Sequence, residues 1–122
     1  MSEPTFLRNY LATLDTAPLD VLPMLAPGFA FSVLWDDEQG AKEFSGGLPE
    51  FNGYLAQRQP DGYAHHIVSA TRTGALEVAL GKTTRHGELV ATFTMAAQVD
   101  DDGRAERLFA ARTTALPLEW PS

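Results

Sequence analysis

At 122 residues the chain has room for one domain, residues 1–122, with a genuine hydrophobic core. Nine Lys and Arg against sixteen Asp and Glu leave a formal net charge of −7, which repels phosphate backbones and anionic lipid and argues against a nucleic-acid or membrane partner. A hydrophobic fraction of 44% excludes a disordered chain, and the lack of cysteine excludes disulfides, thiolate metal sites and a thiol nucleophile.

The opening MSEPTFLRNYLATLD has no basic start followed by an apolar run, and no stretch reaches the ~18 apolar residues of a membrane span, so a cytoplasmic location is expected. Phe6, Leu7, Tyr10, Leu11 and Leu14 recur at helical spacing and predict an amphipathic helix over 4–15, with Ser2 as N-cap and Pro4 in the tolerated first turn. A short second helix starts at Pro18 and carries Leu19, Val21, Leu22 and Leu25; Pro23 limits its length, and Ala26-Pro27-Gly28 ends it. Phe29 to Trp35 reads as a strand. The stretch DDEQGAKEFSGG is polar and glycine-bearing, a loop or a weak strand anchored by Phe44. Pro49 opens a third helix, in which Phe51, Tyr54, Leu55 and Arg58 share one face.

Beyond Gln59-Pro60-Asp61-Gly62 the punctuation changes. Thr73-Gly74, His86-Gly87 and the run Asp100 to Gly103 are turns separating β-rich runs 63–72, 75–85, 88–99 and 104–115. Loops this short force antiparallel neighbours, and strands this long must twist and curl. A curved antiparallel sheet wrapped around the N-terminal helices makes a cone with an interior pocket, an α+β architecture.

That order of elements resembles the nuclear transport factor 2-like superfamily, which includes ketosteroid isomerase and the SnoaL-like polyketide cyclases. The resemblance is carried by FLRNYLATLDTAPLDVLPMLAPGFAF, by GGLPEFNGYLAQR and by VDDDGRAERLFAAR, and spans almost the whole chain. It implies a pocket for a small hydrophobic molecule and a homodimer built through the sheet face. Ketosteroid isomerase uses an Asp base, with a Tyr and a protonated Asp as oxyanion donors. Position by position, the tyrosine falls on Tyr10, whereas Leu34 stands where the base would be and Met95 where the acidic donor would be. A two-residue slip brings Asp36 to the base position. The resemblance therefore leaves two readings open: a cofactor-independent isomerase, cyclase or dehydratase working by proton transfer, and a non-catalytic ligand-binding or protein-interaction domain.

The remaining candidates follow from residue type and place. Asp36 and Asp37 follow the first strand, where a carboxylate at a pocket rim is either a general base or a solvated loop acid. His65 and His66 are adjacent in a strand and so face opposite sides; at most one reaches the interior, as a proton relay or as a hydrogen-bonded wall residue. Neither H-x-H nor H-x-x-x-H spacing occurs, so no metal is expected, and no cofactor. Tyr10, Leu34, Trp35, Tyr54, Phe93, Met95 and Trp120 supply an apolar, aromatic lining. Thr92, Thr94, Ala96 and Gln98, with Leu108, Ala110 and Arg112 of the last run, are expected on the outer sheet face.

Overall fold

The computed structural model describes residues 4–37, 39–58 and 62–114. Helix α1 spans Thr5–Thr16 and buries Phe6, Leu7, Tyr10, Leu11 and Leu14, the stripe its periodicity marks out. Its N-terminus has no local side-chain cap: Pro4 occupies the N-cap position, and Ser2 lies outside the described residues. Glu77, some seventy residues further on, takes that role. Its carboxylate accepts the Phe6 N–H at 3.1 Å and the Leu7 N–H at 2.9 Å, and Arg72 Nη1 donates to it at 3.0 Å. Glu77 is fully buried. Three donors and the positive end of the helix dipole offset the cost of desolvating that charge.

A 3-10 helix, Pro18–Met24, follows with Pro23 inside it. Strand β1, Leu25–Asp37, starts four residues ahead of Phe29, and Ala26-Pro27-Gly28 falls within it. The strand tolerates this because its pairing with the last strand skips between Leu25 and Ala30, so the proline has no ladder bond to make. The polar stretch after β1 folds back as strand β2, Gly40–Gly47, antiparallel to β1. Helix α2, Leu48–Gln57, has Pro49 in its first turn, and Glu50 Oε1 accepts the Gly47 N–H at 2.8 Å, closing the helix start. Its Phe51 packs edge-on against Phe29 and Phe31 in the centre of the core.

Strands β3 (Tyr63–Thr73), β4 (Leu76–Arg85), β5 (Glu88–Val99) and β6 (Ala105–Thr114) form the expected antiparallel meander. The tight hairpin between β4 and β5 turns on His86 and Gly87, both at positive φ. Sheet order is β2-β1-β6-β5-β4-β3. The sheet is mixed rather than wholly antiparallel, because β1 lies parallel to β6. That correction follows from connectivity: β2, α2 and the meander intervene between the two strands, and a connection this long can bring a strand back in either sense.

Register places the inner-face residues in rows across the sheet. One runs Ile67, Gly81, Phe93, Arg112, Trp35; the next runs Ala70, Ala79, Met95, Ala110, Val33. Leu108, Ala110 and Arg112 are therefore inward, against expectation, and Phe109 and Ala111 are outward. In β3 the pairing skips Val68, so inward residues run Tyr63, His65, Ile67 and then Ala70, and Ser69 is turned out to solvent. Gly81 matters here: a Cβ on it would lie 2.4 Å from the Phe93 ring, so only glycine lets that ring settle over β4.

Candidate functional site

Between α1, α2 and the inner sheet face lies a cavity of about 70 Å³. Its wall is mostly apolar, with Leu14, Phe51, Phe93 and Met95 prominent, and its polar groups are Tyr10, Tyr54, Arg58, His65, Thr83 and Arg112. A larger depression of about 380 Å³ opens on the opposite face of the sheet, but Arg107 is the one ionisable residue among those lining it. The inner cavity, though smaller, combines an apolar wall with a histidine, two tyrosines and two arginines.

His65 is held by Asp15. One carboxylate oxygen lies 2.5 Å from His65 Nδ1 and the other accepts the His65 backbone N–H at 2.8 Å. Both groups are largely enclosed, with side chains 12% and 14% exposed. A carboxylate bonded to Nδ1 fixes that nitrogen as the proton-bearing one, which leaves Nε2 as the ring's accepting atom. The ring packs edge-on against Phe93, whose own position depends on Gly81. Asp15 stands in the last turn of α1, where a carboxylate faces the negative end of the helix dipole. An acid there runs against local preference, yet nothing in the sequence names its partner.

Tyr10 is buried on α1 and stacks on Phe6. Burial, and after it the neighbouring Tyr54, hold its phenol well above the ordinary tyrosine range, and the partial opposition of Arg58 does not reverse this. Tyr10 is thus a neutral hydroxyl at any physiological pH. Arg58, at the C-cap of α2, donates to the Tyr54 hydroxyl at 3.1 Å. Thr83 stands directly across the β3–β4 ladder from His65, is 1% exposed, and its hydroxyl has no hydrogen-bond partner among the described residues.

Of the residues expected to line the pocket, Tyr10, Tyr54, Phe93 and Met95 do so. Leu34 does not: strand alternation turns it to the outer face, where it is 42% exposed. Asp36 shares that phase and is exposed, so it does not reach the cavity either. Trp35 is inward by register and half-buried but is not part of the cavity wall. His66 is outward and exposed, 2.9 Å from the Thr84 hydroxyl. Trp120 lies outside the described residues. Among the described residues no group of three or more His, Cys, Asp or Glu is placed to hold a metal ion, and no helix is long and apolar enough to cross a membrane. Asp15, Thr83, Arg58 and Arg112 escaped the sequence reading as site residues: Arg58 is placed on the docking face of its helix without a role, Arg112 is expected on the outer sheet face, and Asp15 and Thr83 meet His65 only across the fold.

A mixed, curved six-stranded sheet closed over by helices is the nuclear transport factor 2-like fold, and this chain adopts it. Solved structures show the likeness directly. Wild-type IdmH, a candidate polyketide cyclase from Streptomyces antibioticus, superposes with a TM-score of 0.64 at 14% identity, over 91% of this chain and 92% of its own. A loop-truncation variant of IdmH gives a TM-score of 0.69 at 15% identity, covering 90% and 92%. A SnoaL-like protein of unknown function from Burkholderia thailandensis gives 0.64 at 14% identity, covering 88% and 92%. No family model matches the sequence, and no curated protein does.

Proposed function

We propose that the protein binds a small, largely apolar molecule in the inner cavity and moves a proton on it without a cofactor, with His65 as general base. The observation that carries this reading is the double engagement of His65 by Asp15, which orients the imidazole and presents Nε2 as its basic atom in an enclosed, apolar site. In the proposed step Nε2 takes a proton from a carbon next to a carbonyl. The C–H bond breaks, an N–H bond forms, and the electron pair develops on the carbonyl oxygen. Tyr10, kept protonated by burial, donates a hydrogen bond to that oxygen. Return of the proton elsewhere gives isomerisation, attack of the carbanion on a second carbonyl gives cyclisation, and loss of a β-leaving group gives elimination.

The test is carbon-proton exchange in D2O, followed by NMR over a panel of small unsaturated and β-hydroxy ketones. The wild type should exchange an α-proton, and His65→Gln should slow this by about 10²–10⁴-fold, the usual worth of a positioned base. Asp15→Asn should slow it by a comparable factor, whereas Asp36→Asn should leave it unchanged. Exchange that persists undiminished in His65→Gln would remove His65 as the base, and a wild type that binds these ketones without exchanging a proton would favour a domain that only binds.

In the same reading the protein works in the cytoplasm as a homodimer, docked through the outer sheet face. Leu34, Leu76, Val78 and Phe109 are each more than 40% exposed there, around small neighbours such as Ala96. Exposed apolar side chains gathered on one face favour burial against a second copy.

A further inference from the structure

The cavity wall carries more positive charge than an apolar ligand needs. Arg58 and Arg112 both line it, and among the described residues no carboxylate lies within ion-pair distance of either guanidinium. Asp15, the nearest acid on α1, is committed to His65 through both oxygens. The chain as a whole is strongly acidic, so two arginines on one small cavity without acidic partners among the described residues are not explained by surface composition. The third observation is independent: Thr83 Oγ1 is fully buried against the same cavity and has no hydrogen-bond partner among the described residues. A buried hydroxyl left without a partner is costly unless something in the cavity completes it.

We infer that the ligand of this site is a small organic anion: a short apolar body carrying a carboxylate, which pairs with Arg58 and Arg112 on the more exposed side of the cavity. The Thr83 hydroxyl meets a second oxygen of the same molecule, beside His65. The inference rests on the reading that this cavity is the ligand site, and it adds the chemical class of what enters. Arginine suits the role because its planar fork meets both oxygens of a carboxylate and stays charged at any working pH. The cavity's modest volume restricts the apolar body to a few carbon atoms.

The experiment measures binding without turnover, by protein-observed NMR, using 3-hydroxy-3-methylbutanoate, whose hydroxyl supplies the second oxygen, and its neutral isostere 3-hydroxy-3-methylbutanamide. Chemical shifts of cavity residues should move with the carboxylate, which should bind at least about tenfold more tightly than the amide. Arg112→Gln and Arg58→Gln should each remove roughly tenfold from carboxylate binding and leave the amide unchanged, whereas Arg112→Lys should recover part of the loss. Thr83→Val, which keeps the shape, should weaken the carboxylate as well. Equal binding of acid and amide, no binding of the acid, or arginine variants that bind it normally would each overturn the inference. Repeating the titration in His65→Gln separates the two proposals. Intact acid binding there, with exchange chemistry absent, supports both; intact binding with undiminished exchange overturns the base alone.

Discussion

Burial changes the acid–base behaviour of Tyr10. Tyr10 sits in α1 for its apolar ring, and the same burial that stabilises the helix holds its phenol protonated. In the unfolded chain the phenol ionises at its ordinary value, while in the folded protein it does so only at higher pH. Above that ordinary value the native state therefore binds more protons than the unfolded state, and stability falls as pH rises. Urea unfolding of the wild type should show a lower midpoint at pH 11 than at pH 9, and Tyr10→Phe should reduce that difference. A wild-type midpoint that does not fall over this interval would contradict the burial argument. Asp15 and Glu77 belong to the same scale. Asp15 meets His65 and Glu77 meets the start of α1 from distant parts of the chain, and neither could be singled out from neighbours in sequence.

At the scale of elements, two local devices hold the site in shape. The first is the attachment of α1 to β4 through Glu77, which satisfies the N-terminal N–H groups of the helix whose last turn supplies Asp15. Glu77→Ala leaves Arg72 without its buried partner and uncaps the helix, and should cost about 3 kcal/mol of stability in chemical denaturation. A loss within a few tenths of a kcal/mol would show the cap to be incidental. The second device is Gly81. Gly81→Ala drives a methyl group into the Phe93 ring and the His66 carbonyl, with an overpacking cost of about 1–3 kcal/mol. The displaced ring should also alter the His65 imidazole resonances, because the two rings are in edge contact. Unchanged imidazole resonances in a folded Gly81→Ala protein would speak against that coupling.

The elements themselves were largely legible. The α1 stripe, the brief second helix, α2 and the four long strands follow from apolar periodicity and from glycine-bearing turns, and each lies within a few residues of its expected bounds. β2 and the early start of β1 were harder to read. Lys42 and Phe44 alternate with exposed residues in a stretch rich in glycine and charge, and Pro27 is tolerated because the ladder skips there. Strand phase was the deeper obstacle. The skipped pairing at Val68 moves Ser69 outward and Ala70 inward, and no feature of the sequence announces it.

The whole molecule presents two faces of one sheet with opposite characters. Inside, enclosed rings and a few polar groups make a cavity; outside, Leu34, Leu76, Val78 and Phe109 remain in water. If that outer face joins two copies, Phe109→Glu should convert a dimer to a monomer in analytical ultracentrifugation while leaving the cavity chemistry intact. A wild type that sediments as a monomer at high concentration would remove the dimer from the account.

Composition, apolar periodicity and turn residues were enough to determine the kind of fold, because these are local properties that the chain carries wherever it goes. They also determined that the two histidines face opposite ways, since alternation is intrinsic to a strand. Only the tertiary structure decided which of them faces the cavity, that Asp15 fixes it, that Arg112 points inward and that Leu34 and Asp36 do not. Those choices depend on strand register and on contacts between residues tens of positions apart. Such contacts exist only once the sheet has closed over the helices.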